Sequence, residues 1–298
     1  MKLCKPLFEI WEQSAGLEGV YKQIEKVGRV CYKSEDKITE DSAKPFVDRM
    51  IKSGHGAMLE HGTVYLQYET AKSAINPLTK YYLNKYSKVK AKDGATEETT
   101  RLFVTTNLRV LVENGWLDDL QYICKPTEFH ERRVTVHFVC DRGVSHEFVR
   151  HRVMSFAQES TRYCNYSKDK FGNELTFIKP CWLDIPIGHY AYWDGDWCDI
   201  NKMKIQLPEG EHKDIDTFLW TLNNAETHYT LLINSGWKPQ EARAVLPNSL
   251  KTELVVTGFV SDWKHFFELR CDSAAHPQAR ELAIPLKEEF IKKGYITE

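Results

Sequence analysis

The sequence predicts an α/β or α+β fold, one domain carrying loop insertions. Three observations predict it. Segments with strand periodicity are grouped with long amphipathic helices, without the strict strand–helix alternation of a parallel array. The 298 residues, 42% hydrophobic and 28% charged, are enough for a sizeable core and have a globular composition. No internal repeat or low-complexity tract interrupts them.

In chain order, 17–31 and 41–53 read as helices. The second has Asp41 and Ser42 as candidate caps, Phe46, Met50 and Ile51 on one side, and Gly54 at its end. Residues 62–69 (GTVYLQYE) alternate like a half-buried strand. So do 133–140, with Val134, Val136, Phe138 and Cys140 on one face. Between them, 88–100 is charged and rich in glycine and threonine, and reads as a mobile excursion. RGVSHEFVRHR (142–152) reads as a helix, and 164–212, containing YWDGDW and LPEG, as a long loop region. Residues 213–235 carry Ile215, Phe218, Leu219, Leu222, Tyr229, Leu232 and Ile233 at helical spacing, closed by Gly236. A short helix between prolines follows (239–247), then a strand (252–260). A helix with Ser261 or Asp262 as its cap comes next (261–270), and a last one, 277–293, is interrupted at Pro285.

A net charge of −2 gives no footprint for wholesale nucleic-acid or membrane binding, so any basic cluster must be a local site. No apolar run reaches the roughly 18 residues of a membrane span, and MKLCKPLFEIWEQ has no signal-peptide core. Cys4, Cys31, Cys124, Cys140, Cys164, Cys181, Cys198 and Cys271 form neither a CxxC pair nor a zinc spacing. They read as reduced thiols of a cytoplasmic protein.

The densest chemistry lies in FVRHRVMSFAQESTRY (148–163). Arg150, His151, Arg152 and Arg162 stand among Gln158, Ser160 and Thr161. A solvated basic turn is the plain reading. Against it, Phe148, Val149, Val153 and Phe156 flank the triplet, and Arg162, Arg243 and Arg270 also sit in half-apolar contexts. Unpaired buried charge is costly, and arginine suits phosphate, so a multiply anionic ligand is expected. GHGAMLEHG (54–62) offers His55, Glu60 and His61 as a metal site, a ligand-lining loop or a plain turn. His-x4-Glu-His is not a standard metal spacing. There is no P-loop, no GxGxxG and no GxSxG, and no visible acid would orient a Ser160–His151 pair.

Arg150-His151-Arg152, seven residues and Ser160 form an RHR-x7-S pattern, and here the chain resembles the flavin-dependent thymidylate synthases. GHGAMLEH resembles that family's histidine-rich segment, EARAVLPNSL its Ala-Arg-x-x-Leu-Pro segment, and TGFVSDWKHFFELRCDSAAHPQARELA its C-terminal block. The blocks follow the family's order over most of the chain.

The resemblance implies a mixed, largely antiparallel sheet packed with long helices, with residues 1–298 as one domain and insertions near 85–132 and 165–210. It implies a homotetramer with FAD at subunit interfaces. It implies reductive methylation of dUMP to dTMP, with 5,10-methylenetetrahydrofolate as carbon donor and NADPH as reductant. By resemblance Arg150, His151 and Arg152 contact FAD, with His55, Ala57, Glu60, Gln158, Ser261 and His265 at cofactor positions. Glu147, Arg150, Gln158, Glu159, Ser160, Thr161 and Arg162 line dUMP, and Arg243 reaches it from another subunit. Arg270 sits by the uracil and favours ionisation at N3. Ser160 joins Arg270 in the catalytic set by binding and positioning, because the family's chemistry requires no enzyme nucleophile. No metal is implied. The chain departs from the family at Ala57, where a hydroxyl is common, at Glu147, where Gln is common, and at Phe259-Val260-Ser261, where Asn-x-Arg is common. Two other classes remain beside this reading: a non-enzymatic nucleotide- or RNA-binding protein stacking bases on Tyr163, Tyr166 and Trp182, and a metal-dependent hydrolase built on His55, His61 and His151.

Overall fold

Alternating Val, Thr and Phe make two nine-residue strands that set the frame. A computed structural model of the chain describes residues 1–71, 79–208 and 213–297. Its strands are β1 (Lys2–Cys4), β2 (Leu7–Trp11), β3 (Thr63–Ala71), β4 (Lys88–Asp93), β5 (Thr99–Asn107), β6 (Arg133–Asp141), β7 (Ser155–Gln158), β8 (Thr176–Ile178), β9 (Gly188–His189), β10 (Ala191–Trp193), β11 (Asp196–Cys198) and β12 (Lys251–Phe259). Its α-helices are α1 (Gly16–Tyr32), α2 (Ala43–Lys52), α3 (Gly56–Leu59), α4 (Thr79–Tyr82), α5 (Leu108–Asn114), α6 (Arg142–Phe148), α7 (Lys213–Asn234), α8 (Pro239–Ala242), α9 (Val260–Arg270) and α10 (Pro277–Lys292).

β6 and β12 pair antiparallel from Asp141↔Lys251 to Arg133↔Phe259, with β2 outside β6 and β7 outside β12. One face of this sheet presents Val134, Val136, Phe138, Leu254 and Val256 to Trp263, Phe266 and Phe267 of α9 and to Leu282, Leu286 and Phe290 of α10. Trp263 is fully buried, and its indole N–H donates to the Val134 carbonyl at 3.1 Å. On the other face Trp11, Ala157 and Val255 pack against Val27, Val30 and Cys31 of α1. A second antiparallel sheet, β3-β5-β4, shares a core with α1 and α2, and α7 packs with β1 and β8 in a third. Helices and largely antiparallel strands thus combine as the fold reading expected. No described helix is long and apolar enough to cross a membrane, and all eight cysteines are free thiols.

Several local expectations are corrected. Residues 88–100, read as a mobile excursion, make β4 and enter β5, whose Leu102 and Val104 are core. Their charged residues mark the solvent side of an edge strand. The region 164–212 is not one loop: β8 to β11 lie in it, and Trp197 and Tyr190 are buried against Ile215 and Leu219 of α7. The last two residues of LPEG lie outside the described residues. The helix read as 142–152 ends at Phe148. α10 runs unbroken through Pro285, because Leu282, Ala283, Leu286 and Phe290 around it are all buried. The short helix after Pro239 lasts one turn and tightens into a 3₁₀ turn over Arg243–Val245. Ser42 stands at the N-cap position of α2, but its hydroxyl donates to Glu25 of α1 at 2.7 Å rather than capping the helix. Asp262 lies in the first turn of α9 and makes the return bond of a capping box there, accepting from the Phe259 N–H at 3.0 Å.

Where GHGAMLEHG meets the sheet, His61 is fully buried, with Nδ1 2.8 Å from the Thr257 hydroxyl. Burial, reinforced by the Arg133 guanidinium, pulls its pKa from 6.5 down to about 3. The fold therefore keeps His61 neutral at a pH where the unfolded chain takes up a proton.

Two outcomes follow. Stability falls as pH drops from 6.5 towards 3, by up to about 1.4 kcal/mol per pH unit from His61. Urea unfolding at pH 7.0, 5.5 and 4.5 checks this, and a flat profile would refute the buried neutral histidine. Phe290, fully buried against Trp263 and Phe267 at ring distances of 5.4 and 5.1 Å, should cost about 3–5 kcal/mol on Phe290→Ala. Leu231→Ala at an exposed position should cost less than about 0.5 kcal/mol.

Candidate active site

The Arg-His-Arg triplet sits on a turn between α6 and β7. Asp141 Oδ1 caps α6 by accepting from the Val144 N–H at 2.7 Å. The helix stops after Phe148, and the chain then turns with the Arg150 N–H donating to the Glu147 carbonyl and the His151 N–H to the Phe148 carbonyl. Phe148, His151 and Met154 are buried and pin the turn from below, while Arg150, Arg152 and Val153 are exposed. Val153 has φ +74°, a left-handed backbone that a β-branched residue rarely adopts, costing on the order of 1–3 kcal/mol. Gly258 of β12 makes room for this pinning, since a Cβ there would lie 2.7 Å from Met154 Cε.

Beneath the turn, Arg270 at the end of α9 is held on three sides. Its Nε donates to His151 Nε2 at 2.9 Å. One terminal nitrogen donates to Glu147 Oε2 at 2.7 Å and the other to the Glu147 carbonyl at 2.9 Å. An acceptor at Nε2 requires an unprotonated nitrogen, and the environment supplies it. Burial first, then the charge of Arg270, lower the His151 pKa to about 4. The imidazole rests on Phe266 at 4.9 Å. His151 is thus committed to Arg270 and is not a base for Ser160, whose hydroxyl accepts from the Arg162 N–H at 3.3 Å.

A second group forms on the loop after β7. Thr161 is buried, and its hydroxyl accepts from Arg243 Nη1 at 3.2 Å within the same chain. Arg142, Thr161 and Arg243 line an open cavity of about 330 Å³ together with Leu246, Pro247 and Asn248. Arg142 Nη1 is itself buried and has no hydrogen-bond partner. Sequence reasoning missed Arg142; its one signal was an arginine directly after the alternating strand. Arg162 and Tyr163 are exposed, and the Tyr163 ring lies 5.3 Å from Tyr32. Glu159, read as a substrate contact, is 2% exposed, with its carboxylate between the Tyr166 hydroxyl and Lys251. The Gln158 amide donates to Ser145 and Thr252.

The remaining cofactor candidates lie at α3 and on α9, and of these the His265 ring comes to 6.1 Å from the His151 ring. His55 and Ala57 are exposed at the start of α3. The Glu60 carboxylate is paired with Arg109, and its carbonyl accepts from Arg133 at 3.0 Å. Ser261 donates to Glu131, and His265 is 3.3 Å from Glu268. His55, Glu60 and His61 do not converge: one is exposed, one ion-paired and one buried against Thr257. Among the described residues no group of three or more His, Cys, Asp or Glu is placed to hold a metal.

A curated flavin-dependent thymidylate synthase of Pyrococcus furiosus is 31% identical over 160 residues, 53% of each chain. That of Pyrococcus abyssi is 29% identical over 157 residues. The chain thus spans about half the length of these curated relatives. The corresponding protein of Corynebacterium aurimucosum is 22% identical over 277 residues, covering 92% of this chain and 77% of that one. A crystal structure of a UMP/dUMP methylase from Streptomyces cacaoi bound with 5-Br dUMP covers 98% of this chain and 93% of its own, at 18% identity and TM-score 0.43. The family model described as thymidylate synthase complementing protein matches residues 116–293, more than half of the chain, taking in the Arg-His-Arg turn, the Arg142–Thr161–Arg243 cavity and Arg270; the chain belongs to that family, the flavin-dependent thymidylate synthases.

Proposed function

We propose that the chain methylates dUMP to dTMP, taking the carbon from 5,10-methylenetetrahydrofolate and the reducing equivalents from NADPH through bound FAD. The observation that carries this reading is the cavity where Arg142, Arg243 and Thr161 meet beside Ser160 and Arg162. Two guanidiniums and a hydroxyl around one space match a phosphate dianion. The names of the relatives support the nucleotide and the flavin.

Each residue's part follows from its surroundings. Arg142, Arg243 and Thr161 hold the phosphate, with Ser160 and Arg162 closing the loop over it. Arg270 uses three N–H groups on Glu147 and His151, and two of its five remain for the base. Placed by the uracil, its charge lowers the cost of ionising N3. The ionised ring is more electron-rich at C5, which then attacks the methylene carbon. Glu147 and neutral His151 orient Arg270 without adding a proton donor. Arg150 and Arg152 are exposed and have no ion pair among the described residues, so they fit the pyrophosphate of FAD. His55, Ala57, Glu60, Gln158, Ser261 and His265 complete the proposed cofactor set, in a cytoplasmic homotetramer. The flavin, when bound, supplies the hydride that NADPH delivers.

The direct test is dTMP formation and tritium release from dUMP labelled at C5, after the flavin spectrum has been recorded with and without dUMP. A protein that takes up no flavin and releases no tritium would end the proposal. Arg270→Ala should lower turnover at least about 100-fold and leave flavin bound; unchanged turnover would remove its role. Arg142→Ala should raise the dUMP half-saturation concentration about 10- to 100-fold, the loss of one charge-assisted contact of about 1.5–3 kcal/mol, with flavin retention unchanged. A normal half-saturation would take Arg142 out of the phosphate site.

A further inference from the structure

We propose that Lys251 is a positioning residue for nucleotide binding, acting through Glu159 on the Ser160–Arg162 loop. The inference rests on the reading of that loop as the phosphate site.

The loop leaves the edge strand β7 with Thr161 and Cys164 buried and the two residues between them exposed. Four backbone hydrogen bonds hold it: the Glu159 N–H to the Glu253 carbonyl at 2.8 Å, the Ser160 N–H to the Cys31 carbonyl at 3.0 Å, and the Tyr163 and Cys164 N–H groups to the Ser160 carbonyl at 3.2 and 2.9 Å. Arg162 and Tyr163 then stand in solvent. What fixes the loop's root is charge. The Glu159 side chain is 1% exposed, a depth at which a carboxylate is tolerated only when paired and hydrogen-bonded. Lys251 Nζ lies 3.0 Å from one of its oxygens and the Tyr166 hydroxyl 2.9 Å from the other.

Lys251 is itself held. It pairs with Glu253 two residues along β12, and Glu253 also takes Lys33 at the end of α1 and His137 Nε2 of β6 at 3.0 Å. Lys251 and Lys33 are thus shared among Glu159, Glu253 and the more exposed Glu35, tying β7, β12, β6 and α1 to the loop root. Burial alone would lower the Lys251 pKa, but the two carboxylates outweigh it and raise it, so the side chain stays cationic. Burial would likewise raise the Glu253 pKa, and His137, Lys251 and Lys33 lower it instead. Without Lys251, Glu253 keeps Lys33 and His137, but the buried Glu159 carboxylate keeps only the Tyr166 hydroxyl and no cation. The cheapest relief is for Glu159 to swing into solvent, taking Ser160 and Thr161 out of register with Arg243. Lys251 touches no proposed ligand atom, so its effect belongs on binding rather than on chemistry.

Two readouts test this in the full-length protein. Arg162 is exposed, but trypsin must draw out the buried Thr161 and Cys164 beside it, so the cutting rate after Arg162 reports how readily the loop opens and needs no ligand. Lys251→Met should be cleaved there at least about 10-fold faster than wild type, with other sites unchanged, and Lys251→Arg should restore protection. Lys251→Met should also raise the dUMP half-saturation concentration about 10-fold or more, with kcat changed less than about twofold. Wild-type cleavage at Arg162 together with wild-type half-saturation would overturn the proposal. If Lys251→Met fails to fold, Glu159→Gln carries the same readouts at smaller size, about threefold, because Lys251 then keeps Glu253; no change in it would also overturn the proposal. Accelerated cleavage in a protein whose wild type binds no dUMP would leave Lys251 as the loop's anchor and refute the nucleotide reading instead.

Discussion

Everything in the candidate site hangs from the register of β6 on β12. Pairing Asp141 with Lys251 and Arg133 with Phe259 fixes where the segments beyond each strand begin. At the first end, the Arg142 N–H donates to the Asn248 and Leu250 carbonyls. That places Arg142 beside the turn bearing Arg243, though a hundred residues separate them. At the other end, α9 departs after Phe259 and doubles back. Its 11 residues rise about 16 Å, enough to return Arg270 to the end of α6, where Glu147 and His151 wait. A slip of one residue would turn Val134, Val136 and Phe138 away from α9 and α10 and separate both pairs. The apolar core and the polar site are therefore specified by one ladder.

The two faces of that ladder divide the labour. The face towards α9 and α10 is hydrophobic and includes the ring cluster of Phe138, Phe148, Trp263 and Phe266. The face towards α1 buries Thr135, Thr257 and His61, and along its rim His137, Glu253 and Lys251. Polar groups there are hydrogen-bonded to one another, so they are tolerated, and they are directional in a way an apolar face is not. The loops that carry Ser160 and Glu60 leave from this directional side. The strained Val153 turn lies on the α9 side, between buried His151 and buried Met154.

How legible was this from the sequence? The long helices and both principal strands were, because Ile215, Leu219 and Leu222, or Val134, Val136 and Phe138, repeat at the period of their element. The basic triplet and Arg243 and Arg270 stood out by charge in apolar surroundings. The helix end at Phe148 was hidden, since nothing in VRHRV breaks a helix; tertiary burial of His151 and Met154 does. β4 and β5 were hidden because an edge strand tolerates the lysines and threonines that also make loops. Arg142, Lys251 and the true partner of Arg270 depend on contacts spanning roughly a hundred residues, which no local pattern records. Glu147 read as a departure from the usual Gln, and in the fold it is the carboxylate that holds Arg270.

That carboxylate explains how so many arginines coexist. Arg270 is neutralised by Glu147, and Arg109 by Glu60 and Glu113. Arg142, Arg150, Arg152, Arg162 and Arg243 have no ion pair among the described residues. An exposed guanidinium is well solvated, so Arg150, Arg152, Arg162 and Arg243 stand free at little cost. The buried, unpartnered Nη1 of Arg142 does carry a cost. Pairing every one of these arginines would have left the site without a positive field. Leaving Arg270 unpaired would have added repulsion and let it rotate. Within the candidate site Arg270 is neutralised and held, while the others keep their charge, so one site has both orientation and charge.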